Sequence, residues 1–179
     1  MKFKWKLVTI FLSLAFLVSY CKSGETKLEP GEKEEMTNDD GQVTGIRTQV
    51  SETRQEYRFG TDGSTPPERT VVKEGEKVTE VQYDPDKDGT VNKTVRFENG
   101  KPKQVLIFDP ATKSEKTVTE LDANQKPVYT DVVTMFNGHK YVKRVFYNPD
   151  GTIDESKIKQ IEGPKQEEPA SSESEPAKK

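Results

Sequence analysis

The chain of 179 residues has one cysteine and one histidine, and beyond residue 20 it has no long apolar run. A lone cysteine excludes an internal disulfide in any redox compartment. One cysteine and one histidine also fall short of a set of zinc ligands, and a Cys21 committed to another role would leave His139 without a thiol to activate. No Gly-x-Ser-x-Gly elbow and no glycine-rich phosphate loop occurs. Hydrophobic residues make up 30% of the chain and charged residues 33%, which is enough apolar material for one modest core and otherwise approaches the composition of disordered segments. His139 follows Gly138 in what reads as a turn, where a solvated imidazole is the ordinary outcome and a general base the exceptional one. The expectation is a protein that is not an enzyme and has no catalytic residues.

The chain does have a distinct N-terminal stretch. Lys2, Lys4 and Lys6 precede the apolar run Leu7 to Tyr20, and Cys21 stands where apolar sequence gives way to Lys-Ser-Gly-Glu. A charged segment followed by an h-region of roughly 7–15 residues is the layout of a secretory signal peptide. A bilayer-crossing helix needs about 20 apolar residues, so residues 1–20 read as a signal peptide and not as a stable span. Losing Lys2, Lys4 and Lys6 with that segment takes the formal charge from −3 to −6, which makes nucleic acid and anionic lipid surfaces poor partners.

The segment Leu17-Val18-Ser19-Tyr20-Cys21 resembles the cleavage site of bacterial lipoproteins, in the looser form used by spirochaetal ones; Tyr20 departs from the small residue usual before the cysteine. The resemblance implies that Cys21 is the lipidation site and becomes the mature N-terminus. It also implies that several acyl chains, palmitate-like in kind, hold the protein at the outer membrane or cell surface. One chain anchors only marginally, at about 0.8 kcal/mol per buried CH₂, so several make a permanent resident. A role as a surface adhesin for host proteins is implied by that family alone. The other reading it leaves open is a periplasm-facing lipoprotein that assists envelope assembly. The protein partner is not legible in either case.

From Cys21 to about Gln42 the sequence is dominated by Gly, Pro, Glu and Asp, and it reads as a disordered tether with an r.m.s. reach of about 25 Å. Residues 163–179 read as a disordered acidic tail. Between Val43 and about 162 the pattern changes to short runs with period-two alternation, rich in Val, Thr, Tyr and Phe, which is the strand signature. Candidate strands are 54–59, 68–73, 78–83, 91–98, 104–108, 116–121, 127–137 and 140–148. Asn99-Gly100 and Asn137-Gly138 are the pair favoured in type I′ hairpin turns, where both central residues need φ > 0. Further turns are expected at Glu74–Lys77, Asp122–Lys126 and Asn148–Thr152. Only Asp154 to Ile161 suggests a helix, a short one.

The expected fold is all-β, an antiparallel β-meander forming a curled single sheet, a small barrel or a thin sandwich. Ten aromatic residues spread over the strands are expected mostly in its core. Segments 104–108 and 128–136 are apolar on both faces, so they belong to a two-layer core or leave an exposed apolar strip. Phe97-Glu-Asn-Gly-Lys101 leading to Phe108, and Phe136-Asn-Gly-His-Lys140 leading to Phe146, resemble the MORN-variant repeats of bacterial proteins. That likeness implies stacked hairpins, not an activity.

One loop carries more specific chemistry. Asp84-Pro-Asp86-Lys-Asp88-Gly89-Thr90-Val91 matches the first eight positions of a calcium loop, in which alternate side chains converge and the Thr90 carbonyl adds an oxygen. The twelfth position, a bidentate Glu in an EF-hand, is Val95 here, and the flanks read as strands. Asp84, Asp86, Asp88 and Thr90 are therefore candidate ligands of a weak calcium site; the alternative is a polar turn whose Asp side chains cap backbone N–H groups. No other cofactor is expected.

Overall fold

The computed structural model describes residues 27–163. The expected signal peptide, Cys21 and all but the first residue of the acidic tail lie outside the described residues. Within them the chain forms eleven strands: β1 (Lys33–Thr37), β2 (Val43–Gln49), β3 (Arg54–Phe59), β4 (Arg69–Glu74), β5 (Lys77–Tyr83), β6 (Lys93–Glu98), β7 (Lys101–Phe108), β8 (Glu115–Leu121), β9 (Pro127–Phe136), β10 (His139–Tyr147) and β11 (Ile153–Glu162). They make one sheet in chain order, every neighbouring pair antiparallel. The sheet is not closed, because β1 and β11 each have one partner. Of the forms of meander expected, this is the single sheet, not closed into a barrel. Strands touch only their sequence neighbours. With strands about 4.8 Å apart, ten steps carry the sheet across roughly 48 Å.

A single layer has no second sheet to cover its apolar residues, so its own side chains cover them. The cross-strand row Tyr57, Val71, Val81, Val95 lies on one face, and all four are buried. Lys73 Nζ lies 4.5 Å from the Tyr57 ring, Arg69 lies 4.5 Å from the Phe59 ring and Lys93 lies 5.4 Å from the Tyr83 ring, so cationic side chains lean over the aromatic edge of this strip. The opposite face buries Val72, Thr94 and Leu106, the last only 1% exposed. Charged ladders run beside them: Glu56 accepts from Arg54 and Arg58, and Glu80 from Arg96.

This architecture corrects three expectations and decides between the two alternatives left open for a fourth. Of the ten aromatics, Tyr57 alone is buried; the others are half-buried, apart from Phe136, which is 62% exposed. There is no two-layer core: 104–108 buries Leu106 on one face, whereas 128–136 leaves Val128, Met135 and Phe136 exposed. The tether reading fails from Lys33 onward, because β1 pairs along β2. Its strand is held by Glu34, whose carboxylate is 2.7 Å from the buried Arg47 guanidinium, and by Met36, which lies opposite Gly45 and packs on the core. Lastly, 154–161 is not helical; it lies in β11, which pairs with β10 through two register shifts. Within that irregular stretch Asp154 pairs with Lys157, three residues on, at 2.8 Å.

Candidate functional site

Antiparallel strands in chain order put alternate connections at opposite rims. Loops after β1, β3, β5 and β7 share one rim with the β9–β10 turn. These include the longer ones, 60–68, 84–92 and 109–114. The other rim carries Asn99-Gly100 and the turns around Gly75, 122–126 and 148–152. Asn99 and Gly100 have φ of 52° and 75°, and Asn137 and Gly138 have 49° and 76°, the two successive positive values that a type I′ turn requires. His139 opens β10 beside the second of these turns and is exposed.

The aspartate loop occupies the longer-loop rim between β5 and β6. Asp84 extends β5 by one residue, its N–H donating to the Glu68 carbonyl at 2.8 Å. Lys87 and Gly89 take positive φ, 56° and 85°, and fold the chain back on itself. The Gly89 N–H donates to Asp84 Oδ2 at 2.9 Å, and the Thr90 N–H donates to Asp88 Oδ1 at 2.6 Å. The result is that one carboxylate oxygen from each of Asp84, Asp86 and Asp88 lies within 4.8 Å of the others. The convergence expected from the alternate spacing is present.

The three carboxylates differ in environment. Asp86 and Asp88 are exposed, while Asp84 is 5% exposed and Thr90 is 6% exposed. From the preceding loop, Pro66 stands close to Gly89. Its Oδ1 is buried and receives no hydrogen bond. Burial pushes the Asp84 carboxyl above the usual carboxylate range; the adjacent Asp86 carboxyl pushes it the same way, and the Gly89 N–H partly offsets both. Lys87, the cation within the loop, does not neutralise the group: its ammonium donates to the Gly60 carbonyl, 2.8 Å away. Among the described residues, no lysine or arginine forms an ion pair with Asp84, Asp86 or Asp88.

Val95, at the position of an EF-hand's twelfth ligand, belongs to the buried row on β6 and pairs with Val81. Glu98 lies at the far end of β6, on the opposite rim. The loop thus offers carboxylates from its first half only. Sequence reasoning did not single out the 60–68 loop as its neighbour, and no local signal could have, because the contact is made through strand pairing. A separate shallow groove of about 320 Å³ lies beside Ile46, Arg58, Thr61 and Pro67 on the edge covered by β1.

No protein-family model matches the chain, and no curated protein matches it. Among solved structures, a chain of "Crystal structure of GtfA/B complex" is 11% identical to it, with a TM-score of 0.32, over 70% of this chain and 21% of that one. A likeness at that level carries no argument about fold or activity.

Proposed function

We propose that the chain is a lipid-anchored lipoprotein of a bacterial cell envelope, serving as a non-catalytic binding or structural module at the outer membrane or cell surface. The observation that supports this reading best is the single-layer sheet itself. Its strands contact only their neighbours and both of its faces are open, so the described chain is spread into surface and not gathered around an enclosed site. Such a surface suits contact with another macromolecule more than conversion of a small substrate. The anchor rests on Cys21 and the apolar segment before it.

Both outer strands are rich in charge, Lys33, Glu34 and Glu35 on β1 and Asp154, Glu155, Lys157, Lys159 and Glu162 on β11. Charged edges resist uncontrolled strand addition, which favours recognition through faces and loops over polymerisation. A surface adhesin for host proteins is the form of this reading that the spirochaetal resemblance implies. The alternative is a periplasm-facing lipoprotein assisting envelope assembly.

Two experiments test this. Mass spectrometry of the mature N-terminus is expected to find a cleaved, acylated Cys21 that Cys21→Ala loses; an unmodified cysteine in the wild-type chain would overturn the anchor. Protease treatment of intact cells is expected to digest the β-domain together with known surface proteins. If the domain survives that treatment and is cleaved only after the outer membrane is opened, the periplasmic alternative replaces the surface role.

A further inference from the structure

We propose that the 84–90 loop binds a calcium ion through Asp84, Asp86 and Asp88, and that the ion fastens the loops after β3 and β5 to one another. Convergent acidic side chains on a surface loop are not a site in themselves. What distinguishes this one is Asp84, nine-tenths buried, with an oxygen that receives no hydrogen bond. A buried carboxylate oxygen left without a donor is costly unless something positive meets it. Its other oxygen accepts from the Gly89 N–H, and the two carboxylates beside it bring charge of the same sign. Lys87, which could have answered that charge, is directed instead to the Gly60 carbonyl.

The donor set is all oxygen, which selects a hard cation. Calcium tolerates irregular geometry and variable ligand number, whereas magnesium demands near-octahedral coordination and gives up water reluctantly. Two exposed aspartates beside one buried one leave room for water on the open side, an arrangement that suits calcium. With Val95 in place of a bidentate twelfth ligand, the affinity falls in the class of extracellular modules, about 10⁻⁴–10⁻³ M. The ion would also hold the rim together. Asp84 is hydrogen-bonded through its backbone to Glu68, Lys87 reaches Gly60, and Pro66 faces Gly89, so ordering the aspartates orders the 60–68 loop as well. This inference does not depend on the anchor or on the proposed partner.

The test is thermal unfolding of the full chain in detergent, with and without 10 mM calcium chloride, beside Asp86→Asn/Asp88→Asn. Both positions are exposed, and asparagine can still accept the Thr90 N–H, so the double variant keeps the loop's hydrogen bonds. For a dissociation constant near 1 mM, the wild-type midpoint is expected to rise by about 5 °C and that of the variant by less than about 1 °C. Terbium supplies a second reading: Tyr83 immediately precedes Asp84, so tyrosine-sensitised terbium emission should appear in the wild type and be lost in the variant. An unmoved wild-type midpoint would overturn the site. So would a rise or an emission that the double variant retains, because the ion would then be bound elsewhere. An equal rise with magnesium would overturn the assignment to calcium.

Discussion

The ammonium of Lys87 donates a 2.8 Å hydrogen bond to the carbonyl of Gly60, 27 residues earlier in the chain. Two connections at the same rim of the sheet are joined by this bond, although neither strand before them pairs with the other. Replacing Lys87 with Met keeps the aliphatic stem and removes the donor. Because the group is exposed, the expected loss is about 0.5–1 kcal/mol, read as a lower urea midpoint at unchanged m-value. Backbone amides of the 60–68 loop should exchange faster in the variant. Unchanged exchange there would show that the loops are held together by other contacts.

Gly45 tests the corrected N-terminal boundary of the sheet. A Cβ at this position would collide with the Arg58 carbonyl oxygen on β3 and come within 2.7 Å of Met36 Cε on β1. Gly45→Ala should cost about 1–3 kcal/mol and loosen β1 first, since the backbone on one side cannot yield. The check is amide exchange across Lys33–Thr37 beside that of β6. If β1 stays as protected as in the wild type, Met36 does not pack as described.

Arg144 and Asp131 form a two-pronged pair across β9 and β10, Nε to Oδ1 and Nη2 to Oδ2, each 2.7 Å, with the guanidinium 3.8 Å from the Tyr129 ring centre. The hydrogen bonds to Asp131 raise the Arg144 pKa, so the guanidinium keeps its charge. A lysine supplies the charge but neither the fork nor the flat stacking surface. Arg144→Lys is expected to lose about 1–2 kcal/mol, which a denaturant titration would detect. A neutral outcome would place this pair among exposed ion pairs of no measurable value.

Nearest-neighbour contact makes stability accumulate strand by strand. A chain ending at Asn148 lacks β11 and should keep the remaining strands folded, with a midpoint only a few degrees lower. Leu106→Ala, at a residue 1% exposed on β7, should cost about 2–4 kcal/mol. It should also separate unfolding into two steps, because the lesion lies in the interior of a linear array. Circular dichroism followed against temperature distinguishes these outcomes: collapse of the truncated chain, or a single sharp transition in Leu106→Ala, would show longer-range cooperativity than the contacts provide.

The eight strands between Arg54 and Tyr147 were legible because their residues alternate with period two and each strand is followed by Gly, Asn or Asp. The convergence of Asp84, Asp86 and Asp88 was legible for a related reason, since alternate residues of a tight loop point inward. β1 was not legible. Lys-Glu-Glu-Met-Thr has one apolar residue, and it becomes a strand because β2 presents Arg47 to Glu34 and leaves space over Gly45 for Met36. β11 was misread because its isoleucines at 158 and 161 match helical spacing, while the open hydrogen bonds of β10 reward an extended partner.

The all-β class, the hairpin turns and the convergence of the acidic side chains were thus set locally, since each follows from periodicity or from the φ that a residue permits. Only the tertiary structure decided that the sheet stays open and single-layered, that side chains and not a second sheet cover its apolar row, and that Asp84 is buried while Asp86 and Asp88 are not. Those outcomes depend on which residues face each other across strands, and on how a loop from elsewhere in the chain lies beside the acidic one.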